Sequence, residues 1–197
     1  MWKGVRVDAQ ALREELGLVE WDPHALAADR ELAMRWDGGP QGGFVLQDDD
    51  GRRFAWLDDP ARRHYAPEAL TACTALAMGR EHRAARRFVV LDRDSGAPQV
   101  AIVTWRLRRG ATLEPAFGEP RRLHAPLLRR DWRLRDESAN TVLRVTSRTK
   151  DVRRLRFSGD PYGGLDLVLL LAAAFHVLVA DELAHFAHAG AGGGGAG

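Results

Sequence analysis

The fold is decided by Leu165-Asp-Leu-Val-Leu-Leu-Leu-Ala-Ala-Ala-Phe-His-Val-Leu-Val-Ala-Asp-Glu182. Between Leu167 and Ala180 the only polar residue is His176. A helix that is apolar all round has no face to offer to water, so it must be enclosed on every side. Either a bilayer or a protein core can do that. The run from Leu167 to Ala180 spans about 21 Å at 1.5 Å per residue. A bilayer needs roughly 20 residues. Asp166 and Asp181 bracket the run and a histidine interrupts it, so a buried helix over 165–182 is expected rather than a membrane span. Such a helix needs a wrapper.

The wrapper is legible upstream as three hairpins. Gly43-Phe-Val-Leu-Gln47 runs into Asp48-Asp-Asp-Gly51 and returns as Arg52-Arg-Phe-Ala-Trp-Leu57. Arg87-Phe-Val-Val-Leu91 turns at Asp92-Arg-Asp-Ser-Gly96 and returns over Val100–Leu107. Trp132-Arg-Leu-Arg135 turns at Asp136-Glu-Ser-Ala-Asn140 and returns over Thr141–Thr146. Apolar runs joined by Asp/Gly turns read as antiparallel hairpins. The copies recur about every 44 residues, as in propeller repeats, but three are too few for one, and hairpins in series make a meander. Asp22-Pro23 is a helix-start signal; alternatively Glu31–Trp36 alternates and reads as a first strand, which is favoured, and Leu155–Phe157 reads as a late one. Asp8 can cap a short helix that Gly17 ends, with Leu12 and Leu16 on one face. Pro67–Ala85 is rich in alanine and leucine and suggests a helix, with a strand over Leu70–Ala77 as the alternative. Residues 1–29 form a lead-in, 30–189 the main domain, and the Gly/Ala tail 190–197 has no composition for a core.

This arrangement resembles the tubby C-terminal-like superfamily, which includes LURP-one-related proteins and phospholipid scramblases. The carrying residues are the hairpins Phe44–Leu57 and Phe88–Trp105 and the ending Gly164-Leu165-Asp166, apolar helix, Val179-Ala180-Asp181-Glu182. The resemblance covers about Arg30 to Glu182. It implies a mainly β, α+β fold: an antiparallel meander closing into a barrel around a central hydrophobic C-terminal helix. It also implies recognition of anionic phospholipid or phosphoinositide headgroups, without giving the residues. The acidic calcium segment of scramblases is reduced here to Asp160 and Asp166, too few carboxylates for calcium.

One cysteine, Cys73, excludes an internal disulfide and reads as a buried small residue. The N-terminus lacks the apolar region of a secretory signal. A reducing, cytoplasmic setting is expected, with peripheral association at a membrane. Motifs for acyl transfer, phosphoryl transfer, zinc hydrolysis and dinucleotide binding are missing. Glu182, His185 and His188 fall on one helical face without further ligands, and His176 reads as a core histidine. The expectation is therefore a non-enzymatic binding module with no cofactor and no metal site.

Charge points to the ligand. Residues 1–60 carry 13 acidic and 7 basic groups, a net of −6, whereas residues 80–157 carry 9 and 20, a net of +11. Such a surface is either a solvated face or an attractor of polyanions. Arginine forks suit phosphate bidentately. Two basic clusters stand out: Arg121-Arg122 with Arg129-Arg130, and Arg148, Lys150, Arg153, Arg154 and Arg156; the candidate binding residues are Arg129, Arg130, Arg148, Lys150, Arg153 and Arg154. The first expectation is an anionic lipid or other phosphate-bearing ligand. The alternatives are a scramblase-like lipid-handling protein and a regulatory module for a protein or, given few aromatics in these clusters, less favourably a nucleic acid.

Overall fold

In the computed structural model, the described residues are 8–26, 31–37, 42–60, 67–80, 87–105, 110–126, 131–148, 151–160 and 165–191. After helix α1 (Ala9–Leu16) and a 3-10 turn (Pro23–Leu26) come twelve strands. They are β1 (Leu32–Asp37), β2 (Gly43–Gln47), β3 (Arg53–Asp58), β4 (Glu68–Thr71), β5 (Ala75–Arg80), β6 (Arg87–Asp92), β7 (Pro98–Thr104), β8 (Gly110–Pro115), β9 (Arg121–His124), β10 (Asp131–Arg135), β11 (Thr141–Arg148) and β12 (Asp151–Gly159). Each pairs antiparallel with its sequence neighbours, and β1 pairs with β12, so the sheet closes. Helix α2 (Leu167–Ala191) follows.

Closure removes both sheet edges and leaves an interior to fill. Helix α2 fills it: Leu169 to Leu178 are all buried. The three alanines 172–174 are fully buried and allow the strands' inward side chains to approach the helix. Trp132, Ile102, Leu113 and Leu134 point inward against it, and Phe88 meets Phe175 edge-on with ring centres 5.5 Å apart. His176 is buried beside Trp132, ring to ring at 5.5 Å, as a core histidine should be. Among the described residues, no helix is long and apolar enough to cross a membrane.

The three expected hairpins are present and share one device. In each, the first aspartate of the turn accepts backbone N–H groups: Asp48 from Arg52, Asp92 from Ser95 and Asp136 from Asn140. Gly51, Gly96 and Ala139 hold the left-handed position, and a bulge precedes each turn. Ladder polarity puts all three turns at the end of the barrel where α2 begins. The positive end of the helix dipole thus lies on the side of the acidic turns, a favourable sense. Asp166 caps α2 by accepting from the Leu169 N–H at 2.7 Å.

The lead-in is folded onto the barrel. Asp8 caps α1 and Gly17 ends it with φ +62°, as the sequence suggests. Leu12 and Leu16 cover Val45, Trp56, Leu70 and Ala75 on the outer surface. Arg13 Nε donates to the Thr71 carbonyl at 2.8 Å and fixes the helix across the strands. Ala25 and Leu26 of the 3-10 turn join the main core.

Two expectations are corrected. The Pro67–Ala85 stretch holds two strands, not a helix. Ala69, Leu76 and Met78 face the interior while Leu70 and Ala75 face α1. Covered on both sides, these strands lose the alternation that marks a half-buried strand. Cys73 is not buried: it lies exposed in the β4–β5 turn. Strands β8 and β9 add to the expected set.

Candidate functional site

Inward residues of β8 to β12 and β1 belong to the core, so the alternate residues define an outer face. Those outer positions are unusually basic: Arg122 on β9, Arg133 and Arg135 on β10, Arg144 on β11, Arg154 and Arg156 on β12, and Arg35 on β1. The registers stack them in rows across the sheet. Arg122 faces Arg135, Arg133 faces both His124 and Arg144, and Arg35 faces Arg154. Like charges directly opposite one another repel.

Two carboxylates neutralise part of it. Asp131 takes two hydrogen bonds from Arg144, Nε at 2.7 Å and Nη2 at 2.8 Å, and one from Arg133 at 3.2 Å. The Arg144 hydrogen bonds hold the Asp131 carboxyl below the usual carboxylate range; burial pushes the other way and Arg133 adds to the lowering. The same contact raises the Arg144 guanidinium above its ordinary value. Glu31 gathers the other group. It accepts from Arg154, lies 3.1 Å from Arg156 Nε and 3.9 Å from Arg35. Arg122 and Arg135 have no acidic partner among the described residues.

Asp131 is charged in the folded state at neutral pH, and its lowered pKa stabilises the fold there. That contribution is present above the unfolded-state value near 4 and disappears as pH falls through the lower folded value. Asp131→Asn should therefore cost about 1 kcal/mol at neutral pH, discounted for the partial exposure of both arginines. The gap to wild type should close toward about pH 3. Urea midpoints of both proteins at the two pH values check this; a gap of constant size would mean that the pair is not held by charge.

Of the six residues singled out in the sequence, the side chain of Arg154 is on this face, bound to Glu31. Arg148 ends β11 and Arg153 lies within β12; their strand positions are described. Arg129, Arg130 and Lys150 lie outside the described residues. Strands β9 and β11 end, and β10 and β12 begin, at the barrel end opposite the acidic turns. Arg122 and Arg156 lie in the two basic clusters visible in the sequence; the sequence reading missed Arg35, Arg133, Arg135 and Arg144, which are spread through the chain and meet only through strand pairing. It also missed Trp105. The indole covers Gly110, where an added Cβ would sit 2.8 Å from the ring, and its Nε1 donates to Thr112 Oγ1 at 3.1 Å. Gly110 and Thr112 pair with His124 and Arg122. An aromatic therefore does border the arginines.

The acidic end has a polar cleft of about 440 Å³ lined by residues such as Glu119, Asp136, Glu137 and Asp160. Among the described residues no group of three or more histidine, cysteine, aspartate or glutamate side chains is placed to hold a metal ion.

No family model matches the chain, and no curated protein matches it. Among solved structures, the Arabidopsis thaliana protein AT5G01750 aligns with a TM-score of 0.52 over 84% of this chain and 98% of that one, at 16% identity. At that identity the likeness shows the fold alone.

Proposed function

We propose that this protein is a tubby-like binding module that docks on anionic phosphate-bearing membrane surfaces through the outer face of β9–β12 and β1. One observation carries the reading: among the described residues, seven outward arginines stand on five adjacent strands, and the acids seen to pair with them are Asp131 and Glu31. The face thus keeps a net positive charge after its internal pairs are formed. The barrel presents it on a rigid, edge-free surface, which suits docking on a sheet of charge. The central helix has its apolar residues inside the barrel, so attachment in this reading is peripheral and the helix stays in place. The scramblase-like alternative would need the helix to leave a core in which Leu170 to Ala174 are fully buried.

Flotation with vesicles tests the proposal. The protein should float with phosphatidylcholine vesicles containing phosphatidylserine, less so as salt rises, and not with phosphatidylcholine alone. Arg35→Gln/Arg144→Gln/Arg156→Gln removes three partly exposed charges. At about 1 kcal/mol per arginine near an anionic surface, the triple variant should bind about 100-fold more weakly. Equal flotation on neutral vesicles, or none on either, would sink the proposal.

A further inference from the structure

We infer that the outer face of β5–β7 is a self-association surface, on which a second copy of this chain docks about a two-fold axis crossing β6. The central runs of β6 (Phe88, Val89, Val90, Leu91) and β7 (Val100, Ala101, Ile102, Val103) are apolar at every position. A strand with one wet face alternates, whereas a continuous apolar run marks a strand covered on both sides. Strands β4 and β5 carry that mark because α1 lies over Leu70 and Ala75. On β6 and β7, Phe88, Val90, Val100 and Ile102 face the barrel core. The residues between them, Val89, Leu91, Ala101 and Val103, belong neither to that core nor to the cluster under α1. No helix among the described residues packs on the outside of β6 or β7.

Register joins these outward residues into one strip. Ala77 pairs with Leu91, Gly79 with Val89, and Val89 in turn with Ala101. Two ion pairs bound the strip, one on each side of β6. Arg93, directly after β6, reaches across β5 to Glu68 on β4 at 3.2 Å. Arg87, at the start of β6, lies across β7 from Glu114 on β8 at 3.7 Å. Each side therefore carries one acid and one base, and the two pairs have no net charge between them.

That pattern fits a second copy. An anionic membrane or a strongly charged protein gains nothing from a balanced rim. An isologous contact sets a patch against itself. A two-fold axis lying in the contact plane and crossing β6 between the ion pairs exchanges them. Arg93 of one copy then meets Glu114 of the second, and Arg87 meets Glu68. Val89 and Leu91, close to the axis, meet their own counterparts. The small residues Ala77, Gly79 and Ala101 let the two sheets approach to the spacing of about 10 Å found between packed sheets. The strip is at the low end of interface sizes, so the dimer is weak and grows with concentration. Strands β6 and β12 stand on opposite sides of the ring, so pairing leaves the arginine face uncovered and does not depend on what binds there.

Sedimentation velocity of the full chain, at concentrations reaching about 100 μM as a weak interface requires, tests the contact. Wild type should pass from monomer to dimer over that range. Val89→Glu sets like charges against each other near the axis, and Arg93→Glu and Glu114→Arg set them across the rim. Each of the three should raise the dimerisation midpoint at least about tenfold, because like charges juxtaposed in an interface repel. An equimolar mixture of Arg93→Glu and Glu114→Arg should restore the dimer, since each variant supplies the charge that the other has lost. Mixing changes nothing within a chain, so this rescue separates contacts between copies from the ion pairs inside each one. Thermal melting confirms that every variant is folded, and Val89→Glu, which touches neither ion pair, decides alone if a rim variant is not. A wild type that stays monomeric would overturn the pairing and leave the face to a different protein. A mixture as weak as its components, or a Val89→Glu midpoint equal to that of wild type, would overturn it as well.

Discussion

Ala173→Asp is expected to move the urea unfolding midpoint far below that of wild type. Ala173 lies at the middle of the apolar run of α2 and is fully buried, with Ala172 and Ala174 buried on either side. A carboxylate there would lie inside a closed barrel lined by Ile102, Leu113, Leu134 and similar residues. Placing an unpaired charge in such surroundings costs several kcal/mol, of the order of 3–5 when no partner is supplied. A domain of this size holds only about 5–15 kcal/mol in total. Ala173→Leu adds volume without charge and should lose only about 1–3 kcal/mol. Circular dichroism with urea unfolding reads both. A wild-type transition in Ala173→Asp would mean that the helix does not occupy the barrel, and the fold described above would fall with it.

Trp132→Ala should be the most damaging truncation on the strands. Trp132 is the largest fully buried side chain, directed from β10 into the barrel beside His176. Its removal leaves a cavity that a closed sheet cannot collapse to fill, because every strand is held by two neighbours. Large-to-small changes at such sites cost about 3–5 kcal/mol. Trp132→Phe keeps most of the volume and should cost distinctly less. The same unfolding assay measures the difference. A change below about 1 kcal/mol for Trp132→Ala would place the indole outside the core.

These two positions lie on the elements that were easiest to read. Helix α2 was visible because an all-apolar run leaves no alternative to enclosure. The three Asp-opened hairpins were visible because their turn chemistry is local: an aspartate accepting backbone N–H groups and a left-handed position need only a few consecutive residues. The N-terminal helix was visible from its cap, its two leucines and Gly17. Strands β8 and β9 gave no comparable signal. Arg121–His124 turns a single leucine, Leu123, into the core. One apolar residue has no period, so β9 is defined by the backbones of β8 and β10 on either side of it. Strands β4 and β5 failed for the opposite reason, being apolar on both faces under α1 and over α2.

The candidate face shows the same division. Charge asymmetry and the dominance of arginine between residues 80 and 157 were readable from composition, and so was the expectation of a phosphate-bearing ligand. Clustering by sequence proximity favoured Arg129–Arg130 and Arg148–Arg154. Strand pairing groups residues by register instead, and it sets Arg122 against Arg135 and Arg133 against Arg144, with Trp105 folded over Gly110. Local chemistry therefore determined the helix, the hairpins and the sign of the surface. The pairing of distant strands alone decided which arginines pair with Asp131 and Glu31 and which have no acidic partner among the described residues, because a side chain's neighbours across a sheet are set by ladder register and not by its place in the chain.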